Sequence, residues 1–295
     1  MAPSTIPADE IKDLLQGAWD LHVHAGPDVV ERAQDCHDLA ADAARAGLAG
    51  LALKDHTTST TGRAAVLNRL YPEGPRFLAC LALNHPVGGF NPSAVESFLR
   101  EGGRIVHMPT YAAQNHLEIW GAGKPPTAFP LPREYQGLTV RTPDGGLSPG
   151  LAEILELIAA HDAVLATGHL SPSESLDVMA QARQQGVRRL IFNHVSETVT
   201  RASLDQQRQA VALGAFIDHC CFTTTPACPG DVTVEEIADE IREIGLDHVI
   251  LTSDLGQKAN PPAVECFGQF IGRLALLLGD TNALARALRK NPCLD

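Results

Sequence analysis

Short apolar runs of strand length alternate eight times with longer segments of helical spacing, and this alternation is the strongest constraint on what the chain can fold into. Runs suited to buried parallel strands are Trp19–His24, Leu48–Lys54, Phe77–Ala82, Arg104–Met108, Ala163–Gly168, Leu190–His194, Ala215–His219 and Val249–Asp254. Helical spacing marks Cys36–Ala46, Gly62–Leu70, Pro92–Glu101, Leu151–Ala160, Pro172–Gln185, Leu204–Leu213, Val234–Ile244 and Val264–Leu278. Gly47, Gly103, Gly186, Gly214 and Gly245 each stand between a helix and the next strand, where a left-handed residue ends a helix. Ser171-x-x-Glu174 and Thr233-x-x-Glu236 read as capping boxes. Eight such units predict an α/β fold, a (β/α)8 TIM barrel. A doubly wound sheet would carry a ligand loop at its switch point, and no GxGxxG occurs.

The expected strand ends are evenly spaced except between His107 and His169, so the loop after the fourth strand is expanded. This insertion, about Thr110–Pro149, holds Tyr111, Trp120, Phe129, Tyr135 and the proline-rich run Lys124–Arg133. Its length suits either a lid or a subunit contact in a homo-oligomer. Short helices at about Ala8–Gln16 and Thr281–Arg289 complete one domain, 1–295, with no Ser/Gly linker to divide it. Lys and Arg total 23 against 35 Asp and Glu, and no basic run is present to track a phosphate backbone, which argues against a nucleic-acid partner. The N-terminus lacks a basic segment followed by an apolar one, and no apolar stretch approaches membrane-span length, so a cytoplasmic protein is expected. The seven cysteines are odd in number, dispersed and without a CxxC pair, a pattern of reduced thiols.

The expected strands all end in titratable or metal-capable groups: His22-Val23-His24, Lys54-Asp55-His56, Asn84-His85, His107, His169, His194, Asp218-His219 and Asp254. Parallel strands in a barrel bring these ends to one mouth. Strand periodicity puts His22 and His24 on one face, and two imidazoles there are a good start to a zinc-type site, which needs about three protein ligands and an open position. His169, His194 and Asp254 close later strands at a similar height.

With this ordered set the chain resembles the amidohydrolase superfamily of metal-dependent hydrolases. Its pattern is HxH after strand 1, His after strands 5 and 6 and Asp after strand 8, which falls here on His22, His24, His169, His194 and Asp254. Within it the chain is similar to a group of small amidohydrolase-like proteins with the motifs DLHVHAGPD, LKDH, NPxAVE, MPT, TGHLS and SDLGQ, present here at Asp20–Asp28, Leu53–His56, Asn91–Glu96, Met108–Thr110, Thr167–Ser171 and Ser253–Gln257. The resemblance implies a barrel enzyme holding one or two divalent ions, zinc or manganese, with Asp254 as both ligand and proton acceptor. Binuclear members bridge their metals with a carbamylated lysine or a glutamate after strand 4. Here that strand ends in His107, which becomes a candidate ligand, and the candidate lysine, Lys54, follows strand 2.

Lys54 is open to three readings: a relocated carbamate ligand, an ammonium that polarises substrate, or a salt-bridge partner of Asp55. His56 is a candidate substrate contact, as is His219. The hydroxyl-rich loop Thr57–Thr61 with Arg63 reads either as a binding site for an anionic group of a small-molecule substrate or as a helix cap with a solvated arginine. His37, His116, His161 and His248 have no supporting pattern and read as structural or surface groups. The expected reaction is hydrolysis of an amide, cyclic amide or ester. Deamination and nonoxidative decarboxylation on one metal are the alternatives, with a non-catalytic binding barrel behind them.

Overall fold

The computed structural model describes residues 6–121, 136–228, 230 and 232–292. Eight strands form one sheet in sequential order: β1 (Trp19–Val23), β2 (Gly50–Leu53), β3 (Arg76–Ala82), β4 (Ile105–His107), β5 (Val164–Ala166), β6 (Arg189–Phe192), β7 (Ala215–Cys220) and β8 (Val249–Thr252). A helix, α1 (Ala8–Leu15), precedes them. The others are α2 (Cys36–Ala46), α3 (Thr61–Leu70), α4 (Pro92–Arg100), α5 (Gln114–Trp120), α6 (Leu151–Ala160), α7 (Pro172–Gln184), α8 (Leu204–Ala212), α9 (Val234–Ile244), α10 (Ala263–Leu278) and α11 (Thr281–Arg289). This is the (β/α)8 barrel that the alternation predicts. Beyond the end of β8, Val23 pairs in parallel with Leu255, so the last strand returns to the first.

The chain divides into two compact units. One comprises residues 1–53, 63–77 and 218–295, and the other 54–62 and 78–217. In the first, α10 packs on α1 and α9, and its Phe267, Ile271 and Leu274 are fully buried. Gly272 lets α1 and the chain just before it close in, since a Cβ there would stand 3.1 Å from Ile11 Cγ1 and 2.5 Å from Ile6 Cγ2. In the second, α4 packs on α6 around Val95, Phe98, Ile154 and Leu155, beside the parallel ladder β3 to β6.

Differences from expectation have local causes. The left-handed residue between α4 and β4 is Gly102, at φ 89°, while Gly103 serves by size, because a Cβ there would stand 2.4 Å from the Phe98 ring. A third capping box, Ser203 with Gln206, opens α8. Inside the expected loop, α5 forms with Ala113 N–H donating to Thr110 O. The returning limb is also tied down: Leu138 N–H donates to Ala112 O at 2.8 Å, and Arg141 grips Asp177 with two bonds of 2.6 and 2.7 Å. The lid or subunit-contact expectation therefore rests on the middle of the insertion. Phe129, Tyr135 and the Lys124–Arg133 run there lie outside the described residues, as does Cys293.

The Thr233 box is confirmed, with its hydroxyl accepting from Glu236 N–H and Glu236 reaching back to Thr233 N–H. Thr233→Ala should lower stability by about 1 kcal/mol, read as a shifted urea midpoint with an unchanged m-value.

Candidate functional site

In the first unit the HxH pair sits where β1 is irregular. Asp20 pairs with Leu51 and Val23 with Leu53, so β1 carries an extra residue beside His22, a bulge of the kind that re-aims side chains. Asp20 pins this segment, its Oδ1 accepting from His22 N–H (3.1 Å) and Ser253 N–H (2.9 Å). Burial pushes the Asp20 carboxyl up to about 7, although these two bonds pull it the other way. Asp254 N–H then donates to His22 O at 2.7 Å, and His24 N–H to Leu255 O at 2.8 Å.

Held this way, Asp254 Oδ1 lies 3.0 Å from His22 Nε2 and 3.0 Å from His24 Nε2, with all three residues buried. The donor set suits a divalent ion: imidazole and carboxylate ligands at ~2.0–2.2 Å place neighbouring donor atoms about 3 Å apart. Asp254 adopts a left-handed backbone, φ 49°, strained for a residue with a Cβ. Gly256 at φ 130° completes the turn, since a Cβ there would stand 2.1 Å from His24 O. Arg32, anchored to Asp28 by a 2.7 Å bond, flanks His24 with Nη2 3.4 Å from Nδ1.

The second unit gathers four more histidines. His169 follows Gly168, whose φ of 59° and approach to Met108 O exclude a side chain. His169 Nδ1 lies 2.8 Å from His116 Nδ1, with the rings stacked at 4.9 Å. Burial lowers His116 to about 4, which keeps its ring neutral near pH 7. His194 stands edge-on to His169 at 5.0 Å and is, like Asp254, left-handed, at φ 31°. Its Nδ1 is 3.1 Å from Thr200 Oγ1 and 3.5 Å from Glu197 Oε2, which fixes the ring by its δ edge and turns Nε2 away. His56 lies edge-on to His169 at 6.5 Å and 2.8 Å from Thr110 Oγ1. Lys54 and His107 are buried at the ends of their strands. Burial pushes the Cys80 thiol up to about 12, with the Lys54 ammonium pulling the other way.

Residues 17–218 match the profile of a Family of unknown function (DUF6282). The chain belongs to that family. No curated protein matches it. Among solved structures, an amidohydrolase from Pseudomonas aeruginosa shares the fold at TM-score 0.62, with 14% identity over 97% of each chain. The probable dipeptidase PvdM from the same organism aligns at TM-score 0.63 and 13% identity, over 96% of this chain and 95% of that one. A TatD homologue, YjjV, from Escherichia coli K12 aligns at 0.58 and 19%, over 94% and 96%. The resemblance read from the motifs thus extends to the architecture.

Some expected site residues fall elsewhere. His219 is fully buried on the opposite face of β7 from Asp218, and its Nδ1 lies 3.8 Å from Glu240 Oε2 on α9, too long for a hydrogen bond. That placement faces the helix layer and takes His219 out of the substrate-contact set. Asp218 has the other face and accepts from Thr252 Oγ1 at 2.8 Å. Asp55 Oδ1 accepts from Thr57 N–H, Thr57 Oγ1 and Thr58 N–H, so Asp55 organises the loop. The loop hydroxyls are engaged too: Thr60 bonds the Cys80 backbone, and Thr61 bonds Glu101. These bonds tie the loop to β3 and the end of α4, and Arg63 is half-buried in the first turn of α3. Sequence reasoning missed His116, Asn84, Thr110, Glu197 and Asp20. Asp20 and Glu197 were findable, Asp20 two residues before His22 on the same strand and Glu197 three residues after His194; His116, Asn84 and Thr110 make contacts distant in sequence.

His219 generates a pH prediction. Burial depresses its pKa from 6.5 to about 3, so the stability it contributes is present above pH 6.5 and is lost as pH falls toward 3. Between pH 7 and pH 5 the wild type should lose about 2 kcal/mol more than His219→Gln, measured by urea unfolding at each pH. Parallel curves for the two proteins would refute this.

Proposed function

We propose that this chain is a metal-dependent hydrolase that cleaves a C–N or C–O bond, in an amide, cyclic amide or ester, of a small molecule. In this reading His22, His24, His169, His194 and Asp254 hold one or two divalent ions, zinc or manganese. The observation that carries it is the Asp254 carboxylate 3.0 Å from both imidazoles of the HxH pair, on a strained backbone. The motif resemblance supports assigning the second pair of histidines to the same centre, since they stand where that pattern has His after strands 5 and 6. The strain at His194, matching that at Asp254, supports it as well.

A bound divalent ion would lower the pKa of a water toward neutrality and polarise the scissile carbonyl. The chain's own residues supply the rest. Asp254 accepts the proton of the attacking water and returns it to the departing nitrogen or oxygen, so that a C–O bond forms as the C–N or C–O bond breaks. Lys54, a buried ammonium, assists at the substrate oxygen, and His107 is the ligand a second ion would take. The second reading, a mononuclear deaminase or nonoxidative decarboxylase, is favoured by one feature: β4 ends in His107 and not in a bridging lysine or glutamate.

Elemental mass spectrometry should find one or two ions per chain in protein purified without chelator and reconstituted with zinc or manganese. About two supports the binuclear hydrolase, about one moves the assignment to the second reading, and none overturns both. Asp254→Asn should lower turnover of p-nitrophenyl acetate or a cyclic amide by about 10²–10⁴-fold with the fold intact. His22→Ala should lower metal content together with activity.

A further inference from the structure

The fixed directions of the hydrogen bonds around Asn84 determine the protonation of a histidine beside the candidate ligands. Asn84 follows β3 and is fully buried. Its Oδ1 accepts from two backbone groups that can only donate, Thr110 N–H at 2.9 Å and Ala112 N–H at 3.2 Å. Its Nδ2 donates to a group that can only accept, His56 O at 3.0 Å. Both ends of the amide are thereby assigned, and a flipped side chain would set donor against donor and acceptor against acceptor.

Nδ2 also donates to Thr110 Oγ1 at 2.7 Å. Thr110 is fully buried, and its hydroxyl proton needs an acceptor. Among the described residues the acceptor in reach is His56 Nδ1, at 2.8 Å. His56 Nδ1 must then carry a lone pair, and its proton sits on Nε2 at the opposite edge of the ring.

We propose that Asn84 and Thr110 are positioning residues that lock His56 as a neutral Nε2–H donor, and that His56 is a catalytic residue giving this hydrogen bond to the carbonyl oxygen of the substrate. The proposal rests on the hydrolase reading above and makes it more specific: the substrate presents a carbonyl whose oxygen gains negative charge in the transition state. His56 transfers no proton. It stabilises developing charge with a donor oriented in advance, which is most effective in a water-poor pocket. The locked tautomer also separates His56 from the ligand set, because an imidazole whose Nδ1 is engaged by Thr110 and whose Nε2 is protonated has no lone pair to offer a cation. The LKDH motif thus contributes a hydrogen-bond donor through its histidine, in a place where spacing alone allows a metal ligand equally well.

The test combines histidine nitrogen NMR with kinetics. On ¹⁵N-labelled full-length protein, the His56 signals, assigned by their loss in His56→Gln, should show the neutral Nε2–H form from pH 6 to 8 and keep it when zinc is added. Thr110→Ser should preserve that pattern, and Thr110→Val should abolish the tautomer preference with metal content unchanged. With p-nitrophenyl acetate as probe, Thr110→Val should lower kcat about 10-fold and His56→Phe about 10²-fold, each with little change in KM, and Thr110→Ser should restore the rate. An Nδ1–H form in the wild type, or a zinc-induced shift of His56 Nε2 to a ligand pattern, overturns the proposal while leaving the metal-hydrolase reading intact. A Thr110→Val enzyme with wild-type kcat overturns it as well. Failure of the hydrolase reading is seen separately, as wild-type protein that takes up no metal.

Discussion

Everything in the cluster of His22, His24 and Asp254 depends on how β1 is held against the segment that follows β8. Asp20 Oδ1 takes a backbone N–H from each side, His22 and Ser253, and Asp254 N–H returns to His22 O. These bonds join the two ends of the strand order and set the spacing between the HxH imidazoles and the Asp254 carboxylate. A carboxyl buried this deeply costs stability when ionised, and the rise of Asp20 to about 7 shows that two amide donors do not fully offset that cost. Placing such a group beside HxH makes sense if the position of the ligands matters more than the last increment of stability. The left-handed backbone of Asp254 carries the same implication, since strain of this kind persists only where its surroundings over-determine it.

The histidines of the second unit are organised by ring edges. His169 and His194 are each held by Nδ1, through His116 and through Thr200 with Glu197, so that both present Nε2 in the other direction. Neutral imidazoles fixed by one nitrogen and offering the other are how metal-binding histidines are commonly prepared. His56 is also held by Nδ1, but its partner hydroxyl, Thr110, already accepts from Asn84 Nδ2, so the hydroxyl proton goes to the ring. The same contact geometry therefore yields a donor at His56 and leaves ligand capacity at its neighbours.

The barrel was legible because its signal is repeated. Each βα unit carries its own apolar run, helical spacing and stop signal, and the helices expected at Cys36–Ala46, Leu151–Ala160, Val234–Ile244 and Thr281–Arg289 form over those same residues. Local rules failed where a residue's task was set by a neighbour remote in sequence. Gly103 was read as a left-handed cap because it precedes a strand, whereas its smallness answers to the Phe98 ring. His219 was expected to contact substrate because it ends a strand, but alternation along β7 turns Asp218 to one face and His219 to the other, against α9.

By itself, the sequence determined the order and length of the elements, the parallel sheet they build and the side chains that stand at the strand ends, because hydrophobic period and turn chemistry are local properties of the chain. Tertiary structure alone decided which of those side chains meet and in what protonation state. His116 lies 53 residues from His169 and Thr110 lies 54 from His56. No periodicity encodes such pairs; they follow from packing α5 and the ends of β3 and β4 into one buried layer, where every donor has to find an acceptor.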